Sequence, residues 1–440
     1  MSNWQLAYNE KFISVEQAAK KIKSNDKIWA GGLLSTPYFF LKELEKRHTE
    51  LKGCKLYTGL LTTPFDFLKP EYAPHLEHHS LFMGPLERKI QKTGNISHTN
   101  FHFSQMGSLF SHLGHNVVVV EMTPPNENGY LSMGACGGVG TPDALKHADT
   151  VIAVINKFQP FIGAEENLVH INDITWVTEG HHPIAGPKPQ APSELEVSIA
   201  EHVLPFVKDN MTIQIGIGTI SNAMGMALKG HKGLGIHTEM FTESMMELCK
   251  AGAVTNEHKN YKPNKIITAF TAGSQELINY VHNNPDIEMG NVTHVVNAVE
   301  IAKNDNFISI NTCIMADLTG QVASEGVGFN QISGSGGQLD FVRGAGMSDG
   351  GISILVLAST HQGKNGPEST IRTALPVGTA VTTPRNDVQV IATEYGSADL
   401  RGLNVPERVQ ALIAIAHPDF RDSLRNEAIE AGLIKPGQEV

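Results

Sequence analysis

Short apolar segments rich in β-branched residues recur along the chain and constrain its fold more than any other feature. Eight of them show little polar alternation: KIWAG, NVVVVEM, TVIAVIN, TIQIGIG, KIITAF, FISIN, ISILVLA and VQVIAT. Such segments are typical of strands that are covered on both faces. Helical patterns, such as VEQAAKKIKS and NAMGMALKG, lie between several of them. This alternation predicts an α/β fold in which helices cover largely parallel sheets.

A proline-rich segment at 181–194, HHPIAGPKPQAPSE, interrupts this alternation with four prolines. Proline removes backbone donors and is resisted by helices and central strands, so the segment has the character of a linker. We therefore predict an N-terminal α/β domain at 1–180, a linker at 181–194 and a C-terminal α/β domain at 195–440. The helical pattern SELEVSIAEHV opens the C-terminal domain.

The two parts carry similar landmarks in the same order, which indicates an internal duplication. In the first part, NDKIWAGGLLSTPYFFLKEL precedes KLYTGLLT, VVVVEMTPPNENGYLS and ACGGVGTPDALKHADTVIAVIN. In the second, DNMTIQIGIGTISNAMGMAL precedes LGIHTEMF, ISINTCIMADLTGQVAS and SGSGGQLDFVRGAGMSDGGISILVLAS. Where the first part has YTG, ending in Gly59, the second has HTE, ending in Glu239. A pair of similar domains with one carboxylate predicts a single active site carried by the C-terminal part.

The composition excludes several classes of protein. Hydrophobic residues make up 41% and charged residues 18%, as in ordinary globular proteins. The formal net charge of −11 argues against a protein that coats nucleic acid, because phosphate binding needs a basic surface. The four cysteines form no CxxC pair, which argues against a disulfide framework or a zinc ribbon. The N-terminal residues contain no apolar region of a secretory signal, and the apolar segments are too short to span a bilayer. We expect a cytoplasmic protein without nucleic-acid or membrane partners.

The strongest local signal is TIQIGIGTISNAM followed by GLGIHTEM. A strand leads to Gly216 and Gly218, a helix begins near Ser221, and the next strand ends at Glu239. The glycines let the backbone approach a ligand, and free N–H groups at a helix start favour anionic oxygen. A dinucleotide-binding unit has the same order of elements and a similarly placed acidic residue. These residues alone leave open an oxidoreductase, another anion site, and a plain strand–helix turn.

The segment SGSGGQLDFVRGAG at 333–346 is a second glycine-rich signal. We expect a loop with little side-chain packing, whose backbone donors point at a carbonyl or phosphate oxygen. The overlapping GMSDG at 346–350 matches the GxSxG pattern of serine hydrolases. A strand-like segment follows this serine, whereas a nucleophile elbow needs a helix there, so we interpret the match as accidental.

The chain contains 20 histidines, which raises the question of a metal site. The pairs His75/His78 and His112/His115 have the i,i+3 spacing of neighbours on a helix. Neither pair has a third candidate ligand nearby in sequence, so we predict no metal site.

The combined pattern resembles the acetyl-CoA hydrolase/transferase family, and within it the butyrate and 4-hydroxybutyrate CoA-transferases. The matching stretches, over about residues 115–430, are PPNENGY, SELEVSIAEHV, QIGIGTI, GLGIHTEM, ADLTGQVAS, SGSGGQLDF, ATEYGSADLRG and ALIAIAHPDFRDSLRNEA. The resemblance implies two similar open α/β domains, pseudo-symmetric, with the active site in the cleft between them. It also implies a homodimer, and it argues strongly against the oxidoreductase.

The resemblance further implies roles for individual residues. Glu239 would be the covalent nucleophile, and Glu394 in ATEYG would support the catalytic site. Coenzyme A would contact Gly216, Ile217, Gly218, Thr219, Ile220, Gly334, Gly337 and Lys364, with Lys364 beside a phosphate. Relatives often carry Asn or Cys at the position of Ala323, so another residue must orient the substrate carboxylate here.

These roles predict transfer of CoA from a short-chain acyl-CoA, such as 4-hydroxybutyryl-, butyryl- or acetyl-CoA, to a carboxylic acid such as acetate. The reaction would be ping-pong through a glutamyl-CoA thioester on Glu239, with CoA as substrate and intermediate and no permanently bound cofactor. At an ordinary pKa of about 4.3, this glutamate would be ionised at pH 7. An acyl-CoA hydrolase on the same scaffold is the alternative. A catalytically silent CoA-binding protein and an NAD-dependent oxidoreductase are further ones.

Overall fold

Strands that are buried on both faces form the centre of the structure. The computed structural model describes residues 3–437, apart from the side chain of Thr219. All eight apolar segments predicted as strands form strands. Five of these strands are buried at every position: Val117–Met122, Thr212–Ile215, Ile266–Thr271, Ile352–Val356 and Val390–Thr393. Helices cover both faces of such sheets, which explains why these segments lack polar alternation.

The first half contains a seven-stranded sheet in the order β4-β3-β2-β1-β5-β7-β9, and all of its neighbouring strands are parallel. A small antiparallel pair, β6 and β8, lies outside this sheet. The strands are β1 Lys27–Ala30, β2 Cys54–Thr58, β3 Leu76–Ser80, β4 Ser97–His98, β5 Val117–Met122, β6 Tyr130–Ser132, β7 Thr150–Ile155, β8 Leu168–His170 and β9 Trp176–Glu179. The α-helices are α1 Asn3–Lys11, α2 Val15–Ala19, α3 Tyr38–Lys46, α4 Pro85–Ile90, α5 Met106–Leu113 and α6 Thr141–Leu145.

The second half contains an eight-stranded sheet in the order β13-β12-β11-β10-β14-β19-β23-β24, parallel except for the edge strand β24. Its strands are β10 Thr212–Ile215, β11 Gly235–Phe241, β12 Ile266–Thr271, β13 Ile287–Met289, β14 Phe307–Thr312, β19 Ile352–Val356, β23 Val390–Thr393 and β24 Gly396–Asp399. Short strands outside it are β15 Met315–Asp317, β16 Val322–Ala323, β17 Gly326–Val327, β18 Asn330–Gln331, β20 Thr360–Gly363, β21 Gly366–Ser369 and β22 Ile371–Arg372. The α-helices are α7 Glu194–Val203, α8 Thr219–Ala227, α9 Glu243–Lys250, α10 Gln275–Val281, α11 Val292–Val295, α12 Ala298–Ile301, α13 Gln338–Met347, α14 Val405–Ala414 and α15 Pro418–Glu430.

The two sheets share one topology. In each, the first strand lies in the middle, the next three follow it to one edge, and the remaining strands continue from its other side. Strands β1, β2 and β5 of the first half therefore correspond to β10, β11 and β14 of the second. The predicted fold class, two similar open α/β units with pseudo-symmetric halves, is confirmed.

A hydrophobic core common to both halves holds them together. Trp29 and Phe110 of the first half pack in the same buried cluster as Phe270 and Phe341 of the second. The proline-rich segment between the halves packs more than its sequence predicts. Its His182 contacts the fully buried Glu121, with Nε2 2.6 Å from Oε1. The segment therefore follows the surface of the structure closely, although it contains no helix or strand before α7.

Across residues 3–437, none of the helices combines the length and the hydropathy that a membrane span requires. The longest one, α15, has 13 residues and contains many charged side chains. The four cysteines, Cys54, Cys136, Cys249 and Cys313, are free thiols, and all but Cys249 are buried.

A close backbone approach between the halves can be tested at Gly138. A Cβ atom there would lie 2.2 Å from the carbonyl oxygen of Ala269 and 2.3 Å from that of Gly290. Gly138→Ala should lower the free energy of unfolding by about 1–3 kcal/mol, measured by chemical denaturation, because rigid backbone has to move. Gly163→Ala, where a Cβ atom would meet nothing within 4 Å, is the matched control. Equal stability of the two variants would contradict the close approach.

Candidate active site

The strand order reverses beside β10, and Glu239 lies near this point. β10 pairs with β11 only through Thr212–Gly235 and Ile213–Ile236, so the carboxyl-terminal part of β11 diverges from it. On its other side β10 pairs with β14, to which the chain returns after β13. In open α/β sheets, ligands bind at the carboxyl ends of strands where the order reverses.

A cavity of about 360 Å³ occupies this position, and both halves line it. Its walls include Leu60, Phe82 and Arg88 from the first half and Gly216, Glu239 and Asn311 from the second. Among the described residues of these walls, two have charged side chains. Arg88 carries the positive charge and Glu239 carries the negative one. The cavity therefore brings one carboxylate and one cation together in a cleft between the halves.

The Glu239 carboxylate lies at the amino-terminal end of α13. The backbone N–H of Gly337 donates a hydrogen bond of 2.7 Å to Oε2 of Glu239. A Cβ atom at position 337 would lie 2.4 Å from the same oxygen, so only glycine lets the backbone come this close. The free N–H groups at a helix start stabilise negative charge. This contact explains why the glycine loop and the HTE strand have to meet.

The pKa of Glu239 is raised to about 7, mainly because the carboxyl group is buried, with the charge of Asp340 adding to the effect. The hydrogen bond from Gly337 acts in the opposite direction. Asp340 is itself fixed in place by Ser104, whose Oγ donates to Oδ1 at 2.6 Å. The expectation of an ordinary glutamate pKa is therefore wrong. At pH 7 the free site holds a mixture of carboxylate and carboxylic acid.

The predicted backbone cradle at 216–220 lies only partly in the cavity. Gly216 and Ile217 line it, but the N–H of Gly216 donates to the carbonyl oxygen of Ile310 at 2.7 Å and is part of the sheet. Gly218 has φ +122°, a conformation open to glycine, and precedes the first residue of α8. Ile220 is buried in the core of the second half. The side chain of Thr219 lies outside the described parts of the structure.

The predicted glycine-rich loop at 333–346 is shorter than expected. Only residues 333–337 form a loop, and α13 begins at Gln338. Gly334 and Gly337 both line the cavity, as the resemblance implies. The expectation of little side-chain packing is wrong beyond Gln338, because Leu339 and Phe341 of α13 are core residues. The later glycine Gly344 allows close packing of α13 against Ile301, since a Cβ atom would lie 2.6 Å from that side chain.

Two further predicted site residues, Glu394 and Lys364, do not line the cavity. Glu394 follows β23, four strand positions from β11, which corresponds to about 19 Å at ordinary strand spacing. Its carboxylate accepts hydrogen bonds from the backbone N–H and Oγ of Ser359, at 2.9 Å and 2.5 Å. Lys364 lies in the exposed turn between β20 and β21. The carboxylate of Glu394 is therefore hydrogen-bonded within the fold, and Lys364 lies outside the cavity walls.

Several polar residues of the site escape sequence reasoning. Gln214 and Asn311 join β10 to β14 by two reciprocal amide hydrogen bonds of 2.9 Å and 3.0 Å. Ala323 is fully buried, while the next residue, Ser324, lines the cavity and accepts from Nε2 of Gln338 at 2.8 Å. Arg88 comes from the other half of the chain. Their position as polar residues within otherwise apolar strands is the one signal that indicates Gln214 and Asn311.

The histidine pairs make hydrogen bonds within the fold. His75 contacts the carbonyl oxygen of Leu51 and His78 contacts Oγ1 of Thr58, at 2.7 Å and 3.0 Å. Within residues 3–437, no three His, Cys, Asp or Glu side chains form a group that could hold a metal ion. Ser348 of the GxSxG match follows a helix and donates from Oγ to the carbonyl oxygen of Asn304 at 2.6 Å.

Comparison with known proteins places this site in a family. The N-terminal domain of the acetyl-CoA hydrolase/transferase family matches residues 1–185, and its C-terminal domain matches residues 273–428. A 4-hydroxybutyrate coenzyme A transferase of Clostridium kluyveri is 38% identical over 96% of this chain and 98% of its own length. The chain belongs to the acetyl-CoA hydrolase/transferase family. The family and the enzyme class, a CoA-transferase, are thereby confirmed, and the family decides against the dinucleotide-binding interpretation of the glycine motif.

Solved structures agree with this family. RipA from Yersinia pestis superposes with a TM-score of 0.91 at 31% identity, covering 98% of this chain and all of that one. A 4-hydroxybutyrate CoA-transferase from Porphyromonas gingivalis has a TM-score of 0.80 at 36% identity, with the same coverage. The family fold therefore extends over both halves, including the walls that the first half contributes to the cavity.

The raised pKa predicts how activity depends on pH. Glu239, the nucleophile predicted from the sequence, would react as its carboxylate, which predominates only above a pH of about 7. We expect kcat/KM to rise about tenfold per pH unit between pH 5.5 and 6.5 and to level off above pH 7.5. Initial rates at saturating acid and low acyl-CoA measure this profile. A profile that is flat down to pH 5.5 would show an ordinary glutamate pKa.

The close contact at Gly337 predicts the effect of one methyl group. Gly337→Ala should lower kcat by about 10²-fold, because the new Cβ atom displaces the Glu239 carboxylate from its place. Gly230→Ala is the control, since a Cβ atom there would meet nothing within 4 Å. Steady-state kinetics on both variants test this, and a kcat for Gly337→Ala within twofold of the control would exclude the contact as a requirement for activity.

Proposed function

We propose that this enzyme transfers CoA from a short-chain acyl-CoA to a carboxylic acid, and that Glu239 is the covalent nucleophile. The observation that carries the proposal is the Glu239 carboxylate in a cleft between the halves, bonded to the N–H of Gly337. The relatives named as CoA-transferases support the reaction class. Acetate is a suitable acceptor because the relative from Anaerostipes caccae is named butyryl-CoA:acetate CoA-transferase.

The proposed reaction proceeds through two acyl exchanges. The carboxylate of Glu239 attacks the thioester carbonyl, the C–S bond breaks, and a mixed anhydride and CoA thiolate result. The thiolate then attacks the glutamyl carbonyl, which leaves glutamyl-CoA and releases the first acid as its carboxylate. The second acid attacks glutamyl-CoA and repeats these steps in reverse order, so one enzyme form alternates with another and the kinetics are ping-pong. No resident cofactor takes part, because CoA itself carries the activated bond.

The Gly337 N–H has a role in each of these steps. It donates to one oxygen of Glu239 before the reaction, and the same oxygen becomes the carbonyl oxygen of the glutamyl intermediates. Each attack on the glutamyl carbon develops negative charge on that oxygen, at the amino-terminal end of α13. Loss of one such donor costs about 10²–10³ in rate in other enzymes. The donor is fixed by the helix and does not need to reorganise.

Arg88 is the residue that we propose for recognition of the substrate anion, in place of Lys364. Its Nη1 donates to the carbonyl oxygen of Ile332 at 3.2 Å, so the guanidinium lies next to the glycine loop. A guanidinium binds carboxylate or phosphate oxygens with several donors. Ser324 and Gln338 supply further polar groups in the same walls, and we propose that they take the orienting role that Ala323 cannot fill.

We further propose a domain organisation, an oligomeric state and a location for the enzyme. The domain boundaries at 1–180, 181–194 and 195–440, the homodimer and the cytoplasmic location derive from the sequence and the resemblance. The resemblance predicts 4-hydroxybutyryl-, butyryl- or acetyl-CoA as the donor and a carboxylic acid such as acetate as the acceptor.

Substitution of Glu239 tests the proposal directly. Glu239→Gln should lower transfer by more than about 10⁴-fold, because the nucleophile is removed. Wild type incubated with acyl-CoA should carry CoA, less one water, on the peptide that contains Glu239, and the variant should not. Glu257→Gln, which alters an exposed glutamate of the same half, should retain both properties. Retention of transfer by Glu239→Gln would exclude the assignment.

Glu239→Gln should also be more stable than wild type. Measuring its stability tests at the same time whether the variant is folded. The pKa of Glu239 is raised from 4.5 to about 7 in the folded state, so stability falls as the pH rises from about 4.5 to about 7 and then stays at the lower level. Glu239→Gln removes this effect and should stabilise the protein by about 1–3 kcal/mol at pH 8, with no difference at pH 4. Thermal unfolding at both pH values measures it, and a variant less stable than wild type at pH 8 would contradict the raised pKa.

The hydrolase alternative differs in what resolves glutamyl-CoA. In a transferase, release of free thiol from acyl-CoA stays slow, and added acetate produces acetyl-CoA at the rate at which the donor disappears. In a hydrolase, thiol release proceeds without added acid. Parallel assays of free thiol and acetyl-CoA, with and without acetate, separate the two reactions on the same scaffold.

A further inference from the structure

A second cavity lies on the other side of Glu239. It has a volume of about 210 Å³. Leu60, Phe82, Ile217, Glu239 and Met240 line both this cavity and the larger one. The Glu239 carboxylate therefore lies between the larger, polar cavity and this second cavity.

The walls of the second cavity are almost entirely apolar. They include Trp29, Leu81, Phe103, Met106, Val139 and Phe270. Within the described structure, Glu239 is the one charged residue among them. The indole N–H of Trp29 donates to Oγ1 of Thr141 at 3.3 Å, and burial raises the pKa of the Cys136 thiol to about 12. Neither side chain therefore offers a charge, and the indole N–H already has a partner.

Three backbone donors of this cavity are used within the fold. The N–H of Leu33 donates to the carbonyl oxygen of Gly59 at 3.2 Å, and that of Leu60 donates to Phe82 at 2.8 Å. The N–H of Phe103 donates to the carbonyl oxygen of Gly336 at 3.1 Å. A hydroxyl or carboxylate group buried here would find none of these donors available.

Two leucines line the cavity from a strained backbone. Leu33 and Leu60 both have φ +51°, in the left-handed region that bulky side chains rarely adopt. The other residues with positive φ in the described chain, glycines aside, are asparagines and Lys262. Such strain persists where the surrounding structure enforces it, and it concentrates at functional sites. Both leucines directly follow glycines at the ends of β1 and β2, so the two loops present apolar side chains to one space.

We propose that this cavity holds the acyl chain of the substrate and selects uncharged, unhydroxylated acyl groups of about four to six carbons. The inference rests on the proposed function, because it needs Glu239 to react with the thioester at the entrance. A dry apolar cavity of about 150 Å³ in another protein holds benzene, so a space of 210 Å³ suits a chain or ring of this size. An acetyl group leaves most of the cavity empty.

The chemistry of the walls sets the order of substrates. Each methylene buried from acetyl to butyryl should raise kcat/KM about fourfold. A terminal hydroxyl, as in 4-hydroxybutyryl-CoA, should lower kcat/KM at least about tenfold relative to butyryl-CoA, because it loses water without gaining a partner. A terminal carboxylate, as in succinyl-CoA, should lower it more than about a hundredfold, because it is buried near a second carboxylate.

The first experiment measures kcat/KM of the full-length protein for acetyl-, butyryl-, hexanoyl-, 4-hydroxybutyryl- and succinyl-CoA, with acetate as acceptor, or propionate for acetyl-CoA. Labelling of Glu239 by CoA is followed with each donor. Efficient use of 4-hydroxybutyryl- or succinyl-CoA at the butyryl-CoA level would overturn the inference and leave the proposed function standing. Absence of labelling with every donor would overturn the proposed function itself.

Two variants change the size of the cavity in opposite directions. Leu33→Ala enlarges it and should raise the hexanoyl-to-acetyl ratio of kcat/KM about tenfold or more. Val139→Phe fills it and should lower the same ratio at least tenfold. Val299→Phe, at a position with 58% exposure, is the control and should leave the ratio unchanged. A general loss of stability lowers both rates together, so an unchanged ratio in both cavity variants would overturn the inference.

Discussion

The hydrogen bond between the Gly337 N–H and the Glu239 carboxylate is the contact on which the site depends. It joins the end of β11 to the start of α13, two elements almost a hundred residues apart in the chain. The bond fixes one oxygen of a side chain that lines the cavity between the halves. Burial and Asp340 raise the pKa of this carboxyl group while the bond opposes them. The site thus holds a carboxylate that is only weakly stabilised before substrate arrives, which favours its attack on a carbonyl.

The position of Glu239 between two unlike cavities accounts for the chemistry that we propose. CoA transfer needs a nucleophile that both a large polar substrate and a small acyl group can reach. The polar cavity contains Arg88, amides and hydroxyl groups, whereas the apolar one contains mainly hydrocarbon and aromatic side chains. A thioester at the junction of the two cavities would have its CoA part in the polar cavity and its acyl part in the apolar one. Filling the apolar side with hydrocarbon also keeps water away from the glutamyl intermediate, which distinguishes transfer from hydrolysis.

Local patterns predict much of this architecture, and contacts distant in sequence limit the rest. The eight apolar strands, the duplication and the placement of Glu239 on a strand follow from periodicity and repeated landmarks, although β11 continues beyond the predicted end at Glu239 to Phe241. The extent of α13 does not, because its glycines obscure the core positions Leu339 and Phe341. The raised pKa of Glu239 and the presence of Arg88 depend on how the halves pack. Glu394 and Lys364 resemble site residues in sequence, but the order of strands and an exposed turn keep them away from the cavity.

Gly59 and Glu239 occupy corresponding places in the two halves, after β2 and within β11, and both line the apolar cavity. The pseudo-symmetry therefore brings the two equivalent positions face to face instead of placing them in separate sites. A second acidic side chain at position 59 would border the same apolar cavity as the first, and two like charges repel strongly in a medium of low polarity. Duplication of the fold thus cannot double its catalytic capacity. In the proposed reaction each polypeptide would hold one acyl group at a time, and the loop at Gly59 would form part of the apolar wall beside Glu239.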